Sequence, residues 1–359
     1  MRTPMSPRLV EVETPALIVR EEVALRNIDR FQRHCDDNGL KLRPHVKTHK
    51  CVHFAKAQVA AGATGITCQK IGEAEVMVDG GIHDILIAYN ILGHGKLGRL
   101  RSLAERTKAL SVVADNDLVV DGLSKTFETA VRRLTVLVEC DTGGRRCGVQ
   151  TPERAIALAR RISSLPGIGF GGLMTYPAVG GQRDVLDFMT LAKAGIEECG
   201  IACPVISSGG SPDMWHARSH DGTITEYRAG TYIFNDRSLV ERATCAWEDC
   251  AGRVVATVVS VPSDGRAIID AGSKILTTDL LGLEGFGHVV GHPQARIAGL
   301  SEEHAIIRCG PDDGLEVGEQ VNIVPNHICV VANMVDNAWL ERKTGGMSVL
   351  TIDARGKLC

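Results

Sequence analysis

No Cys-x-x-Cys pair occurs in the sequence, although twelve cysteines are scattered from Cys35 to Cys359. That irregular spacing excludes the dense disulfide framework of a small secreted domain and fits a reducing, cytoplasmic compartment, with most thiols acting as small buried apolar groups. No apolar run reaches bilayer-spanning length, and the opening Met1-Arg2-Thr3-Pro4 has no signal-peptide core. Charge of one sign is not in excess. The formal net charge is −3 and no basic run is present, which argues against a nucleic-acid or membrane partner. Internal repeats and low-complexity tracts are missing as well. No Gly-x-Gly-x-x-Gly follows the first apolar run, which disfavours an open dinucleotide-binding sheet. What is present is ordinary globular material: 359 residues, 44% apolar and 23% charged, enough for one large α/β domain and a smaller companion.

Past residue 40, apolar runs alternate with helical patterns. The runs are Leu42–Lys47, Gly65–Gln69, Asp84–Asn90, Leu110–Asp115, Leu134–Asp141, Phe170–Tyr176, Pro204–Gly210 and Glu226–Phe234. Amphipathic stretches such as His53–Ala61, Gly72–Val78, Pro152–Ser164 and Val185–Cys199 lie between them. Eight such units predict a closed (β/α)8 barrel of the TIM type over residues 22–250. Beyond residue 250 the helical period fades. Val254–Val261, Ala267–Ala271, Ala305–Arg308, Gln320–Val324, Cys329–Asn333 and Ser348–Asp353 read as strands of an all-β domain, 251–359, joined by an N-terminal strand within 8–21.

Reactive groups of a barrel sit at the C-terminal ends of its strands. The first barrel strand ends in Arg43-Pro44-His45-Val46-Lys47-Thr48-His49-Lys50. A lysine there can form an imine with an aldehyde cofactor, provided that burial and nearby cations hold it neutral. Lys47 and His49 are the candidate catalytic residues, with His45 beside the cofactor and Arg43 and Lys50 as further sources of positive charge. Ser207-Ser208-Gly209-Gly210-Ser211 after the seventh strand, and Gly230-Thr231-Tyr232 in the eighth, occupy the usual phosphate position of a barrel. After the fifth strand, the glycine turn before Arg146 can carry a guanidinium to an anionic ring oxygen or a carboxylate. In Pro325-Asn326-His327-Ile328-Cys329, a strand would turn His327 and Cys329 to one face, where imidazole and thiolate suit a divalent metal such as zinc. Asp336 is read as a supporting carboxylate or a surface charge. Gln69 and His304 are candidate substrate contacts.

Together these motifs resemble the fold-type III pyridoxal-phosphate enzymes of the D-threonine aldolase and D-serine dehydratase group, distant relatives of alanine racemase. The resemblance runs from Thr14-Pro15-Ala16-Leu17 to His327-x-Cys329, and Arg43–Lys50 is its most specific segment. It implies that Lys47 holds pyridoxal 5'-phosphate as an internal aldimine and that His45, Arg146 and Tyr176 lie around the cofactor. It further implies that Ser208, Gly209, Gly210, Ser211, Gly230, Thr231 and Tyr232 hold the phosphate, and that His327 with Cys329 binds a divalent metal (zinc, manganese or magnesium). The expected reaction is retro-aldol cleavage of a D-3-hydroxy amino acid to glycine and an aldehyde. The alternative is D-serine or D-threo-3-hydroxyaspartate dehydration to a keto acid and ammonia. Arg146-Cys147-Gly148-Val149 looks like the aldolases. Cys329, where the aldolases carry aspartate, looks like the dehydratases, and Tyr176-Pro177 lacks the aldolases' following Gln-His. A racemase or a non-catalytic cofactor carrier is a weaker reading: racemisation wants a second acid–base group, and no tyrosine occurs in 251–359. The resemblance also implies a homodimer with a small-molecule substrate.

Overall fold

The computed structural model describes residues 12–220, 222–262, 265–310 and 314–359. Contacts divide the chain into two compact units. One comprises Asp29–Lys47, Val52–Gly230 and Lys357–Cys359; the other contains, of the described residues, 12–28, Thr48–Cys51 and Thr231–Gly356. The division therefore falls at 230/231, whereas the sequence pattern suggested 250/251. Residues 231–250 form only short turns, and their hydrogen bonds explain the difference. Phe234 O accepts from Ala251 N at 2.7 Å, and the Asp236 carboxylate accepts from Ile328 N at 3.2 Å, so this segment is spent on the second unit.

After β1 (Ala16–Arg20), which pairs in the second unit, come eight parallel strands: β2 (Lys41–Leu42), β3 (Ile66–Cys68), β4 (Asp84–Asn90), β5 (Ala109–Ala114), β6 (Leu134–Cys140), β7 (Ile168–Thr175), β8 (Val205–Ser208) and β9 (Glu226–Tyr227). Their order is β2-β9-β8-β7-β6-β5-β4-β3. The ring closes where His45 bridges Thr67, with Thr67 N donating to Pro44 O at 2.8 Å and Val46 N to Thr67 O at 2.9 Å. Leu86, Val113, Leu137 and Met174, one from each of four consecutive strands, pack together with Ala88 and Val205, filling the interior as barrels require. The intervening helices follow local rules. Thr151 caps Pro152–Ser164 by accepting from Arg154 N, proline occupies the first turn, and Ala155, Leu158, Ala159 and Ile162 form the buried stripe. The eighth strand is shorter than the apolar run suggested: Glu226–Tyr227 is strand, while Thr231–Ile233 is a helical turn.

Apart from the parallel pairing of β1 with β16, the second unit is antiparallel. It comprises β10 (Gly252–Ser260), β11 (Arg266–Ile269), β12 (Gly287–Val289), β13 (Arg296–Leu300), β14 (Ala305–Arg308), β15 (Gln320–Pro325), β16 (Asn337–Glu341) and β17 (Met347–Thr351) with β1. The order β11-β14-β13-β12-β15-β10, with β10 also pairing β11, makes a closed six-stranded barrel. From β10 the sheet extends through β1, antiparallel to β10 and parallel to β16. Residues 8–11 of the expected N-terminal strand lie outside the described residues. The expected strand Cys329–Asn333 is instead helix, Ile328–Met334. Pro325 ends β15, and Ile328, Val331 and Ala332 bury one face at helical spacing, which the short β-branched run had disguised. Among the described residues, no helix is long and apolar enough to cross a membrane.

Candidate active site

In the barrel unit, Lys47 directly follows the backbone ladder that closes the ring, in a turn, and is half-buried. Its backbone N–H donates to His45 Nδ1 at 3.3 Å, while His45 Nε2 lies 3.0 Å from Gln69 Oε1. The ring is thus held at both nitrogens, in the neutral form that donates from Nε2. Burial and the Lys47 ammonium push its pKa well below the ordinary histidine value. Gln69 in turn donates to Ala88 O at 2.9 Å, so it fixes His45. Arg43 is not free to act on Lys47. It donates to Glu226 at 2.7 Å and Asp84 at 2.6 Å, a buried pairing that neutralises it. Lys50 donates to Ala354 O at 3.4 Å in the second unit. His49, also in that unit, is fully buried, with Nδ1 accepting from Cys51 N at 3.1 Å and its ring edge-on to Phe234.

The loop after β8 is built to stay open. Gly209 has φ +122°, and a Cβ there would lie 2.7 Å from the Tyr227 ring. Tyr227 donates to Gly210 O at 2.9 Å, and Ser211 Oγ accepts from Gly230 N at 3.2 Å. Neither the Gly209 nor the Gly210 N–H has an acceptor among the described residues. Two open amides on glycine, beside Ser208 and Ser211, fit a phosphate group. Beneath them runs a buried polar chain that sequence reasoning missed. Arg228 donates to Ser207 Oγ at 2.6 Å and Thr175 O at 2.7 Å, and Ser207 donates to Glu226 at 2.6 Å. Its signal was only an arginine two residues before Gly230.

Asp141 shapes the loop after β6, its Oδ1 accepting from Gly143 N and Arg145 N, both at 3.0 Å. This turn sets the Arg146 guanidinium over the Tyr176 ring, 4.8 Å from its centroid. Tyr176 is 42% exposed.

The second unit holds the other expected pair. Thr231 and Tyr232 belong here; Tyr232 is 1% exposed, while Thr231 Oγ1 lies 3.5 Å from Cys329 Sγ. Thr48 Oγ1 is 3.1 Å from the same sulfur. His327 precedes the first turn of helix Ile328–Met334, and Cys329 lies within that turn, so a helix start rather than a strand face brings them together. His327 Nδ1 is 2.7 Å from Asp279 Oδ2, leaving Nε2 for the thiol. Burial alone would lower the imidazole pKa, but Cys329 and Asp279 hold it up, to about 9. Burial alone would raise the thiol, yet His327 keeps it below the ordinary value. An imidazole and a thiol whose charges are coupled, with a carboxylate behind the ring, fit the donor set of a divalent metal. The supporting carboxylate is Asp279; Asp336 pairs with Arg355 at the surface. His304 lies in the exposed hairpin turn between β13 and β14.

A parallel barrel carrying a lysine at its closure and an open glycine loop, with a separate antiparallel barrel, defines a class: the alanine racemase architecture of pyridoxal-phosphate enzymes. The comparisons agree. Residues 22–238 match the alanine racemase N-terminal domain family and residues 251–340 a putative serine dehydratase domain. The chain is 32% identical to a D-threonine aldolase from Arthrobacter sp, covering 97% of this chain and 94% of that one. It is also 32% identical to a D-threo-3-hydroxyaspartate dehydratase from Delftia sp. (strain HT23), over 90% and 93%. The solved D-threonine aldolase from Filomicrobium marinum superposes with a TM-score of 0.88 at 31% identity, covering 98% of each chain. The chain belongs to the fold-type III pyridoxal-phosphate-dependent family, in its D-threonine aldolase and D-serine dehydratase branch.

Proposed function

We propose that the protein is a pyridoxal-phosphate- and divalent-metal-dependent lyase that cleaves D-3-hydroxy amino acids to glycine and an aldehyde. The observation that carries the metal-dependent reading is the His327–Cys329 pair with Asp279 fixed on Nδ1. When bound, the cofactor supplies an electron sink for charge at Cα and the metal a Lewis acid for the β-hydroxyl. Lys47 holds the cofactor's aldehyde carbon. The Gly209 and Gly210 amides, with Ser208, Ser211 and Gly230, would hold its phosphate, and Arg146 would supply positive charge to an anionic oxygen. His45, kept neutral, donates no charge there. His327 Nε2 and Cys329 Sγ serve as the metal donors, and Asp279 fixes the imidazole tautomer. Cleavage of Cα–Cβ would require a base to take the β-hydroxyl proton, Cβ leaving as the aldehyde and Cα taking up a proton to give glycine.

Cys329 itself favours a second reading. The resemblance gives the dehydratases cysteine at this position, and a Delftia dehydratase is as similar as the aldolase. There Lys47 removes the Cα proton and hydroxide leaves Cβ. D-threonine, D-phenylserine, D-serine and D-threo-3-hydroxyaspartate, assayed for released aldehyde and for released ammonia, decide between the two. Aldehyde from D-threonine supports the aldolase; ammonia alone refutes it. EDTA abolishes either activity if the metal reading holds. Lys47→Ala removes the visible absorbance of the cofactor-loaded protein, and unchanged absorbance sinks the role of Lys47. The reading takes the protein as a homodimer, which sedimentation checks.

A further inference from the structure

We propose that Thr48 and Thr231 are positioning residues of the metal site: their hydroxyls donate to the Cys329 sulfur, restrain it, and bias it away from soft ions such as cadmium and toward harder ones such as manganese. The inference rests on the reading of His327 and Cys329 as metal donors. All three residues, Thr48, Thr231 and Cys329, belong to the second unit. Thr48 Oγ1 lies 3.1 Å and Thr231 Oγ1 3.5 Å from Cys329 Sγ. Thr48 is 0% exposed, and among the described residues this sulfur is the one hydrogen-bond partner of its hydroxyl. Buried hydroxyls are nearly always hydrogen-bonded, because an unmade bond leaves their desolvation uncompensated. The Thr48 proton therefore has one destination.

A protonated thiol leaves the direction of these bonds open, since sulfur and oxygen can each donate. A metal-bound thiolate does not. It carries no proton, so both hydroxyls must donate to it. Hydrogen bonds to an anion are stronger than neutral ones, and a thiolate's lone pairs can serve two hydroxyls and a metal bond together. Each O–H draws electron density from the sulfur. That weakens its covalent bond to a soft ion more than its electrostatic bond to a harder one. The two threonines are fixed from different parts of the chain. Thr231 opens the helical turn Thr231–Ile233, and its carbonyl accepts from Phe234 N at 3.1 Å and Asn235 N at 2.7 Å. Asp236 ties the same segment to the helix that carries Cys329, by accepting from Ile328 N at 3.2 Å. Thr48 comes from the Thr48–Cys51 stretch, 281 residues away from Cys329 in sequence. Two donors held by separate segments restrain rotation of the Cys329 side chain.

Cobalt reads the sulfur directly. In the cofactor-loaded protein, the absorbance added by Co2+ to the wild type but not to Cys329→Ser isolates the sulfur-to-cobalt charge-transfer band, whose energy falls as the thiolate becomes a stronger donor. The expected result is a shift of that band to longer wavelength in Thr48→Val and in Thr231→Val, while Thr48→Ser, which keeps the hydroxyl, leaves it in place. Competition against a chromophoric chelator should show the ratio of Cd2+ to Mn2+ affinity rising by about tenfold in Thr48→Val, the scale of other outer contacts to metal ligands. The rise is smaller in Thr231→Val, whose contact is longer. Thr231 is half-buried, so its variant carries the test if Thr48→Val does not fold. A wild type without the band removes Cys329 from the metal and overturns both this inference and the metal-dependent reading. A band that is present but stays put in both valine variants overturns this inference alone, as does a shift in Thr48→Ser equal to that in Thr48→Val.

Discussion

Replacing Asp279 separates the charge behind His327 from the contact it makes. Asparagine at 279 keeps an acceptor for the imidazole N–H, now 2.7 Å from Oδ2, but removes the charge. Carboxylates behind metal-binding histidines are worth about 10–100-fold in affinity, or about 1.4–2.7 kcal/mol. The side chains of His327 and Asp279 are 28% and 42% exposed, so solvent screens the charge and Asp279→Asn belongs at the low end, about tenfold. Asp279→Ala also frees the ring to rotate and belongs near the high end. A competing effect has to be weighed. With burial opposing, Cys329 and Asp279 together hold the imidazolium to about pH 9, so removing Asp279 also weakens the proton that the metal must displace. A divalent ion carries twice the proton's charge and gains more from the same carboxylate, so the net effect is still weaker metal binding. Zinc affinity measured against a chromophoric chelator tests this, together with turnover at saturating metal, which should stay near wild type. Unchanged affinity in Asp279→Ala refutes the reasoning. So does reduced turnover with intact affinity.

Gly209→Ala forces a Cβ to 2.7 Å from the Tyr227 ring at φ +122° and should destabilise the protein by about 1–3 kcal/mol, lowering both the melting temperature and pyridoxal-phosphate affinity. Asp236 accepts from Ser238 Oγ at 2.7 Å, Leu239 N at 3.3 Å and Ile328 N at 3.2 Å while fully buried, so Asp236→Ala should cost about 2–4 kcal/mol in chemical denaturation. Glu139 titrates at about 7 when folded against an ordinary 4.5, so the folded state retains a proton that the unfolded state has released. Its contribution to stability is therefore fully present below pH 4.5 and falls as pH rises toward 7; Glu139→Gln should flatten that slope.

The parts of this architecture that were legible in the sequence are those where one residue type does one job locally. Eight apolar runs punctuated by amphipathic stretches gave the barrel, because each strand–helix unit buries its own face at its own period. The glycine loop was legible because only glycine tolerates φ +122° against a ring. The failures share the opposite property. Cys329–Asn333 is β-branched enough to look like a strand, yet β15 ends at Pro325 and Ile328, Val331 and Ala332 bury one helical face.

Asp279 and Arg228 were overlooked for a common reason: each is defined by a partner far away in the chain. Asp279 meets His327 across 48 residues, and Arg228 meets Thr175 across 53. No local pattern encodes such pairings, because they arise only when strand order places two ends side by side. Sequence spacing therefore finds the groups that do chemistry directly and misses those that set their charge and orientation. An imidazole beside a thiol is an ordinary core pair, and the Asp279 carboxylate on its far nitrogen is what fits it to a metal.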